Sequence, residues 1–351
     1  MNSYRIAIYP GDGIGKEVCD QAVRVLQHVQ QQEGSFQLQF SWLPWGCDYY
    51  FQHGSVVPDD YLEQLKTFDA IFLGAVGDPG RVADHITLRP LVRIRQVFDQ
   101  YACVRPAKLF PGVRCPLLNP GDIDFVVLRE NSEGEYVSCG GRVKPGPGEV
   151  AVQTAVHTRQ GVERVLRYGF ELARTRRKRL TMITKSNALT YGMVLWDDVL
   201  DHVMPEYDDV TTDRQHADAA AMNFVRCPDE FDVVVASNLF GDILTDLAGA
   251  IVGGLGLAPS ANINPERAFP SLFEPVHGSA PDIAGQGIAN PVAAIQSAAM
   301  LLDWLDLKQA AATIRTGVER ALAAGSATPD MGGSLNTVQM TDVILQCIRS
   351  H

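Results

Sequence analysis

The sequence predicts an α/β protein with a mostly parallel sheet, because strand-like and helix-like segments alternate along most of the chain. Residues 124–128, 180–183 and 231–236 are short, largely apolar runs, which are typical of strands buried on both faces. Residues 14–32 instead repeat apolar side chains at helical spacing, which predicts an amphipathic helix directly after the first strand.

The predicted elements follow one another from the first residues onward. Strands are expected at 5–9, 37–43, 70–73, 124–128, 180–183 and 231–236, and helices at 14–32, 59–66, 89–100, 158–177, 188–203, 215–226, 242–253, 290–305 and 307–324. Residues 144–148, Lys-Pro-Gly-Pro-Gly, separate two short extended runs and predict the tip of a hairpin, since Pro and Gly favour turns. Composition marks no domain boundary.

The bulk composition indicates an ordinary globular protein. The 351 residues are 46% hydrophobic and 20% charged, which is enough to build one large or two smaller domains. A net charge of −11 argues against a nucleic-acid partner, which requires a basic surface. Seven cysteines without a Cys-x-x-Cys pair suggest reduced thiols, and the chain shows neither a signal peptide nor a membrane-spanning run. We therefore expect a cytoplasmic protein without a membrane association.

The most informative segment contains Asp242 and Asp246, four residues apart at the start of an apolar, helix-like run. At that spacing both carboxylates project from the same helical face, where like charges repel. Two interpretations are open. The aspartates are either first-turn acids stabilised by the helix dipole, or oxygen ligands of a divalent ion such as Mg²⁺ or Mn²⁺.

The glycine-rich run at 10–15, Pro-Gly-Asp-Gly-Ile-Gly, joins the first strand to the first helix, where a phosphate can bind. Its spacing is Gly-x-Gly-x-Gly, whereas the dinucleotide fingerprint is Gly-x-Gly-x-x-Gly. A second strand ending in an acid does not follow at the expected distance. A tight turn is therefore the favoured interpretation of these glycines.

Three arginines, one lysine and one tyrosine are candidates for a ligand site. Arg95 lies on a predicted helix, Arg105 in an extended segment, and Arg129 at the end of a buried strand, where a cation is costly unless it meets an anion. Guanidinium groups match carboxylates with two parallel hydrogen bonds. Lys185 follows another predicted strand, and Tyr136 lies shortly after Arg129. With the aspartates, these residues predict a site for a di- or tricarboxylate held to a metal.

From residue 6 to about residue 305 the chain resembles the β-decarboxylating dehydrogenases, which act on isopropylmalate, isocitrate, homoisocitrate, tartrate or D-malate. The resemblance is carried by Gly-Asp-Gly-Ile-Gly at 11–15, Arg-Glu-Asn at 129–131, Thr-Lys-Ser-Asn at 184–187 and the segments 238–246 and 274–291. Residues 84–88, 98–101 and 259–267 are most similar to the tartrate/D-malate branch of that family.

The resemblance implies a role for each side chain that faces the substrate. Arg95, Arg105 and Arg129 would bind the carboxylate that later leaves as CO₂. Leu88 and Leu91 would face the substituent at C3 of the substrate.

The resemblance also implies the metal ligands and the acid–base groups. Asp218, Asp242 and Asp246 would hold Mg²⁺ or Mn²⁺. Lys185 would act as the general base toward the substrate hydroxyl, and Tyr136 would donate the proton that completes the product. Asp218 and Lys185 would come from the other subunit of a homodimer, so that each active site is shared between two chains.

NAD is the cofactor that the resemblance implies. Asp282 is similar to the acid that binds the adenosine ribose, whereas relatives that use NADP carry Lys and Tyr at the positions of Asp282 and Ile283. The other residues expected to line the NAD site are Ile14, Glu274, His277, Gly278, Ser279, Ala280, Ile283 and Asn290. The fold implied is isopropylmalate/isocitrate dehydrogenase-like rather than a standard Rossmann domain, which explains the incomplete glycine fingerprint.

Two α/β domains are expected in that fold. Residues 1–100 and 255–351 would form the cofactor-binding domain with both termini. Residues 101–254 would form the substrate, metal and dimerisation domain, with an intersubunit arm around 137–156.

The substrate is less narrowly defined than the fold. D-malate or tartrate is favoured, with 3-isopropylmalate second and a homoisocitrate-type substrate third. Leu88 stands where isopropylmalate enzymes carry Glu, and Arg89 departs from every branch. Arg89 either points to solvent or binds an additional polar group of the substrate. Two other classes of function stay open: a phosphoryl-transfer enzyme that uses the glycine loop, and a non-catalytic module that binds a hydroxy acid.

Overall fold

Across residues 2–349, which a computed structural model describes, a ten-stranded mixed sheet runs through the molecule. The strands are β1 (Asn2–Gly11), β2 (Phe36–Trp42), β3 (Ala70–Ala75), β4 (Ala102–Lys108), β5 (Asp124–Glu130), β6 (Gly140–Val143), β7 (Val150–Gln153), β8 (Arg179–Thr184), β9 (Thr211–His216), β10 (Val233–Ala236), β11 (Pro259–Ile263) and β12 (Ser271–Pro275). All of these strands except β6 and β7 belong to the large sheet.

Helices connect the strands and cover the sheet. They are α1 (Gly15–Glu33), α2 (Cys47–His53), α3 (Tyr61–Leu65), α4 (Asp84–Thr87), α5 (Arg89–Val97), α6 (Arg159–Arg174), α7 (Gly192–Val203), α8 (Ala217–Arg226), α9 (Asn238–Ile251), α10 (Val292–Trp304), α11 (Lys308–Ala323) and α12 (Thr337–Arg349). No helix within residues 2–349 combines the length and the apolar character that crossing a membrane requires.

The strand order is β2-β1-β3-β12-β11-β4-β5-β10-β8-β9. Six of the nine pairings within the described ten-stranded sheet are parallel, and the three antiparallel ones surround β11 and β4 at the centre. The predicted α/β fold with a mostly parallel sheet is therefore confirmed. The division into domains at residues 100 and 254 stays a prediction.

The centre of the sheet is where sequence and structure differ most. Strand β4 was expected only as an extended segment, since Arg105, Pro106 and Lys108 interrupt its apolar pattern. Strands β11 and β12 lie within a region that has no clear strand periodicity. These strands are stabilised by their neighbours in the sheet rather than by local propensity.

The hairpin predicted around residues 144–148 is present as a separate two-stranded ribbon. Val143 of β6 pairs with Val150 of β7, and the side chains of both strands are exposed. Such a two-stranded ribbon has little stability of its own in water.

The register of the central strands determines which side chains share a face. Arg129 lies opposite Cys103 of β4, while Arg105 lies two residues further along β4. Because side chains alternate between faces, Arg105 and Arg129 project from the same face of the sheet as diagonal neighbours. Helix α9 follows β10 directly and covers that face.

Candidate active site

A cleft lies between α5 and α9, and residues of the central strands β3, β4, β5 and β12 form its floor. The residues that line it are Leu73, Gly74, Ala75, Val76, Leu88, Leu91, Arg95, Arg105, Arg129, Tyr136, Asp242, Glu274, Pro275, Val276, His277 and Gly278. The carboxyl ends of the parallel strands β3 and β12 line it, and such strand ends are the usual location of ligand sites in α/β proteins. Most residues predicted for substrate binding thus meet in one concave region.

Asp242 is the acceptor on which two buried arginines converge. Its Oδ1 accepts hydrogen bonds from Arg129 and, at 3.2 Å, from Nη1 of Arg105. Burial acts to raise the pKa of Asp242, but the charges of Arg129 and Arg105 outweigh it, so the pKa lies below its usual value. Asp242 is therefore ionised at neutral pH.

Two polar residues that the sequence did not single out hold these arginines. Asn238 Oδ1 accepts from Nε and Nη2 of Arg129 at 3.0 and 2.7 Å, and Thr245 Oγ1 accepts from Arg105 at 2.6 Å. Asn238 and Thr245 lie on the same face of α9 as Asp242, four residues before it and three after it. The sequence analysis predicted that this helix begins at residue 242, so it did not include Asn238 on this face.

Tyr136 places its phenol against the same carboxylate. Its hydroxyl donates to Oδ2 of Asp242 at 2.9 Å, and the Arg129 guanidinium lies 5.3 Å from the ring centre. Burial and the negative charge of Asp242 raise the pKa of Tyr136. The phenol therefore keeps its proton at neutral pH and is suited to donate it to a ligand in the cleft.

Asp246 lies one turn after Asp242 on α9 and faces an unfavourable electrostatic environment. Partial burial and the negative charge of Asp242 raise the pKa of Asp246, although Arg105 opposes the effect. A divalent cation between the two carboxylates would relieve their repulsion, and oxygen ligands suit Mg²⁺ and Mn²⁺. Within residues 2–349 no group of three or more candidate metal ligands forms in a single chain.

Arg95 and Glu274 form a second charged pair in the cleft. Arg95 Nη2 donates to Glu274 Oε1 at 2.8 Å, and Asn262 donates to the same oxygen at 2.7 Å. The Nε atoms of Arg95 and Arg105 are buried without a hydrogen-bond partner among the described residues. The protein alone therefore does not fill the hydrogen-bonding capacity of these two arginines.

The glycine-rich loop and the segment that follows β12 contact each other through their backbones. The Ile14 N–H donates to the Ser279 carbonyl at 2.8 Å. Gly13 has a positive φ of 52°, and a Cβ there would lie 2.0 Å from that carbonyl oxygen. The loop is therefore a tight turn, as predicted, and it brings two residues expected near the cofactor into contact.

The remaining residues expected near the cofactor lie along the segment after β12. Asp282 is exposed, and Ile283 is partly buried. Asn290 is buried and donates to Asp330 at 3.0 Å. The sequence analysis did not single out Asp330. Nδ1 of His277 lies 2.9 Å from the Gly278 carbonyl, which leaves the buried Nε2 without a partner in the described chain. Because a carbonyl only accepts, Nδ1 carries the proton and Nε2 is a free acceptor.

Lys185 and Asp218 do not line this cleft. Lys185 Nζ lies 2.9 Å from Asp218 Oδ1, and Asp218 is largely exposed. Lys185 follows β8 and Asp218 stands in the first turn of α8, beside the edge strand β9 and away from the central strands that form the cleft. The two residues thus occur together, but one chain alone does not bring them to Asp242 and Asp246.

Comparison with known proteins decides the family. The sequence profile of the isocitrate/isopropylmalate dehydrogenase family matches residues 5–344. The chain belongs to this family. The D-malate dehydrogenase [decarboxylating] of Escherichia coli (strain K12) is 53% identical, with 99% of each chain covered. A probable tartrate dehydrogenase/decarboxylase of Agrobacterium vitis is 51% identical, with 99% of this chain and 98% of the relative covered. The crystal structure of isocitrate dehydrogenase from Methylococcus capsulatus superimposes with a TM-score of 0.89, at 36% identity and 99% coverage of each chain.

Membership in the isocitrate/isopropylmalate dehydrogenase family confirms the predicted resemblance and the predicted class of enzyme, a decarboxylating hydroxy-acid dehydrogenase. It decides against the phosphoryl-transfer and non-catalytic alternatives. The glycine loop that suggested a phosphate cradle is instead packed against Ser279.

Helix α5, here named the substrate helix, carries Leu91 and Arg95, two residues that were expected to face the substrate. Leu88 and Leu91 line the cleft, with Leu91 almost completely buried. Arg89 is exposed and is not among the cleft-lining residues, which favours the solvent-facing interpretation over a contact with substrate.

Proposed function

We propose that this enzyme oxidises and decarboxylates D-malate or tartrate, with NAD as the hydride acceptor and Mg²⁺ or Mn²⁺ as the metal. The relatives that are about half identical to this chain carry the names of D-malate and tartrate dehydrogenases. Small hydroxy diacids match a cleft that combines three guanidinium groups with a small number of carboxylates.

The observation that carries the proposal is the convergence of Arg95, Arg105 and Arg129 on one cleft that also contains Asp242. The Nε donors of Arg95 and Arg105 have no partner among the described residues, so the protein alone does not satisfy these guanidinium groups. A substrate carboxylate would take hydrogen bonds from these arginines and would release Asp242 from them. The same carboxylate is the one that leaves as CO₂.

Tyr136 completes the reaction in this proposal. The hydroxyl carbon gives a hydride to NAD and the hydroxyl gives its proton to Lys185 of the partner subunit. The bond between C3 and the leaving carboxylate then breaks, and C3 takes a proton from the Tyr136 hydroxyl. Since the raised pKa keeps the phenol protonated, Tyr136 is ready to act as that donor.

The metal would be held by Asp242 and Asp246 together with Asp218 of the partner subunit. Bound there, the cation would polarise the substrate hydroxyl and the ketone that forms from it. The fit rests on the carboxylate chemistry and on the raised pKa of Asp246, which marks a position where a positive charge is missing. Cations relieve such repulsion directly.

NAD would bind along the segment after β12. Gly278 is exposed, with open space where a side chain would stand, and the free Nε2 of His277 offers an acceptor nearby. Asp282 presents an exposed carboxylate that suits two ribose hydroxyls but repels a 2′-phosphate. We therefore expect NAD rather than NADP.

A homodimer would complete the site. Exposed apolar side chains gather on the segments from β8 to α9, which also carry Lys185 and Asp218; they are Leu189, Tyr191, Met222, Val225 and Ile243. The exposed valines of β6 and β7 extend this apolar surface to the predicted arm. Surfaces of this kind are typical of contacts between subunits. We also expect the enzyme in the cytoplasm, in keeping with seven unpaired cysteines.

A second substrate is favoured by one observation. Leu88 and Leu91 give the cleft an apolar wall near the expected C3 position, which would suit the alkyl group of 3-isopropylmalate. A homoisocitrate-type substrate would place an additional carboxylate against this apolar wall, so it ranks third.

An absorbance assay for NADH formation with Mn²⁺ tests the proposal. D-malate, the tartrate isomers, 3-isopropylmalate, isocitrate and homoisocitrate are compared by kcat/KM, first with NAD and then with NADP. We expect D-malate or a tartrate to rank first. Preference for 3-isopropylmalate or isocitrate by tenfold or more would contradict the proposed substrate class without affecting the family assignment.

A further inference from the structure

A second cavity lies on the side of the sheet opposite the active-site face of β4. Its volume is about 200 Å³, and it is lined by Pro106, Lys108, Phe110, Val252, Leu257, Pro259, Gln296, Met300, Arg315 and Glu319. None of these residues lines the cleft that contains Asp242. Side chains alternate along a strand, so Arg105 faces the cleft while Pro106 and Lys108 face this cavity.

Most of the wall is apolar. Val252 and Leu257 are each 2% exposed, and Phe110 and Met300 are partly buried against the core. The wall combines the end of α9 with the start of β11 and one face of α10. An apolar body of a few carbon atoms fits such a lining.

Gln296 adds an unsatisfied polar group to this wall. The residue is 5% exposed, and its side-chain amide has no hydrogen-bond partner among residues 2–349. Its amide atoms keep some access to the cavity, because neither is among the fully buried side-chain atoms that lack a partner. The amide therefore offers a free N–H donor and a free carbonyl acceptor inside the cavity.

Lys108 stands at the mouth of the cavity with its ammonium group only weakly engaged. Its Nζ lies 5.5 Å from the centre of the Phe110 ring and 3.7 Å from a Glu319 oxygen, which is too far for a hydrogen bond. Arg315 also lines the cavity and pairs with Asp303. Arg315 is thus neutralised by Asp303, which leaves Lys108 as the lining cation without a hydrogen-bonded acid, and an anionic head group would complement it.

We propose that this cavity binds a small monocarboxylic acid with a short apolar chain. The chain lies against Met300 and Leu257, and the carboxylate accepts hydrogen bonds from Lys108 and the Gln296 amide. This site is separate from the hydroxy-acid cleft, and it does not depend on the substrate proposed above.

Methyl NMR on the full-length protein tests the proposal, since Met300 lies in the cavity wall and Met204 is an exposed reference. Protein labelled with [¹³C]methyl-methionine is titrated with hexanoate, hexan-1-ol and hexylamine, which share a chain and differ in the head group. Met300→Leu assigns the resonance. We expect hexanoate to shift Met300 but not Met204, with a Kd at least tenfold lower than that of either matched probe.

Three variants make the result specific. Lys108→Met and Gln296→Leu should each remove most of the tenfold preference for hexanoate, while both keep the Met300 reporter. Lys308→Met removes an exposed lysine at the start of α11 outside the cavity and should leave the preference unchanged. Lys108→Gln repeats the charge removal with a polar side chain if the methionine variant does not fold.

Several outcomes would overturn the proposal. They are a Met300 resonance that hexanoate does not move, equal affinity for hexan-1-ol or hexylamine, and an unchanged preference in the Lys108 variants. A hexanoate effect that D-malate removes by direct competition would assign the binding to the active-site cleft and would equally refute a separate site.

Discussion

Arg95 and Glu274 form an ion pair in which 2.8 Å separates Nη2 from Oε1 and neither side chain is more than 9% exposed. The pair joins the substrate helix α5 to β12, the strand that leads into the expected cofactor segment. The ion pair therefore links the residues expected to bind the substrate to those expected to bind the cofactor. The sequence analysis had assigned Arg95 to the substrate and Glu274 to the cofactor.

Glu274→Gln should destabilise the protein strongly, because it leaves the Arg95 charge buried without its counterion. Breaking one partner of a buried pair costs about 3–5 kcal/mol. Urea unfolding at fixed protein concentration measures the loss. Glu63→Gln breaks the exposed Lys66–Glu63 pair and should cost less than about 1 kcal/mol. Equal losses in the two variants would contradict the importance given to burial.

Asp246→Asn should have opposite effects on stability and on metal use. In the metal-free protein the raised pKa of Asp246 means that its charged form is unfavourable, so the neutral amide should increase the melting temperature at neutral pH. As the pH falls through the raised folded-state pKa, the wild-type carboxylate binds a proton and the difference between the two proteins should disappear.

The same variant should need a much higher concentration of Mn²⁺ for half-maximal activity. We expect an increase of more than about tenfold, since even indirect partners of a metal contribute that much. Asp198→Asn, which changes an exposed acid on α7, is the control for both measurements. An unchanged metal titration for Asp246→Asn would remove this residue from the ligand set.

Asp12 is expected to position two loops of the site. Its buried carboxylate accepts from the Cys47 N–H at 2.7 Å and from the Gly77 N–H at 2.9 Å, and Gly77 precedes the substrate helix. Asp12→Ala should lower the free energy of unfolding by about 1–3 kcal/mol for each donor left without a partner.

The kinetic effect distinguishes positioning from stability alone. Asp12→Ala should raise KM for both NAD and the hydroxy acid, while Asp12→Asn keeps one acceptor and should recover part of the loss. Asp59→Ala removes an exposed acid and should change neither constant. If Asp12→Ala is less stable but binds both substrates normally, the residue has only a structural role.

Replacing Asp282 by Lys together with Ile283→Tyr should shift the cofactor preference toward NADP. The ratio of kcat/KM for NAD to that for NADP should fall by about 10–100-fold, which corresponds to one charge-assisted hydrogen bond. Because Asp282 is exposed, stability should not change. Gln286→Lys adds a positive charge to the same segment and should leave the ratio within about twofold. An unchanged ratio in the double variant would contradict the role of Asp282.

The sequence predicted the parts of the site that depend on local pattern. The one-turn spacing of Asp242 and Asp246 and the burial of Arg129 at a strand end both follow from neighbouring residues. The family resemblance added roles for Tyr136 and Lys185 that no local pattern contains.

Features that depend on distant residues were not predicted. Asn238 was missed because α9 begins four residues earlier than the apolar pattern indicated. The pairing of Arg95 with Glu274 joins residues 179 positions apart, and β4 forms because β5 and β11 flank it. Sequence periodicity contains no information about such pairings.

Subunit complementation tests the central claim, a site shared by two chains, most directly. Tyr136→Phe and Lys185→Ala each remove one acid–base group, so each variant alone should lose about 10²–10⁴-fold in turnover. The two variants are unfolded together, refolded at equal concentrations and assayed for NADH formation with D-malate and Mn²⁺. If Lys185 acts in the partner's site, each mixed dimer contains one intact site, and the mixture should recover about a quarter of wild-type activity. If both residues act within one chain, every site carries a lesion, and a mixture no more active than the separate variants would contradict the shared site.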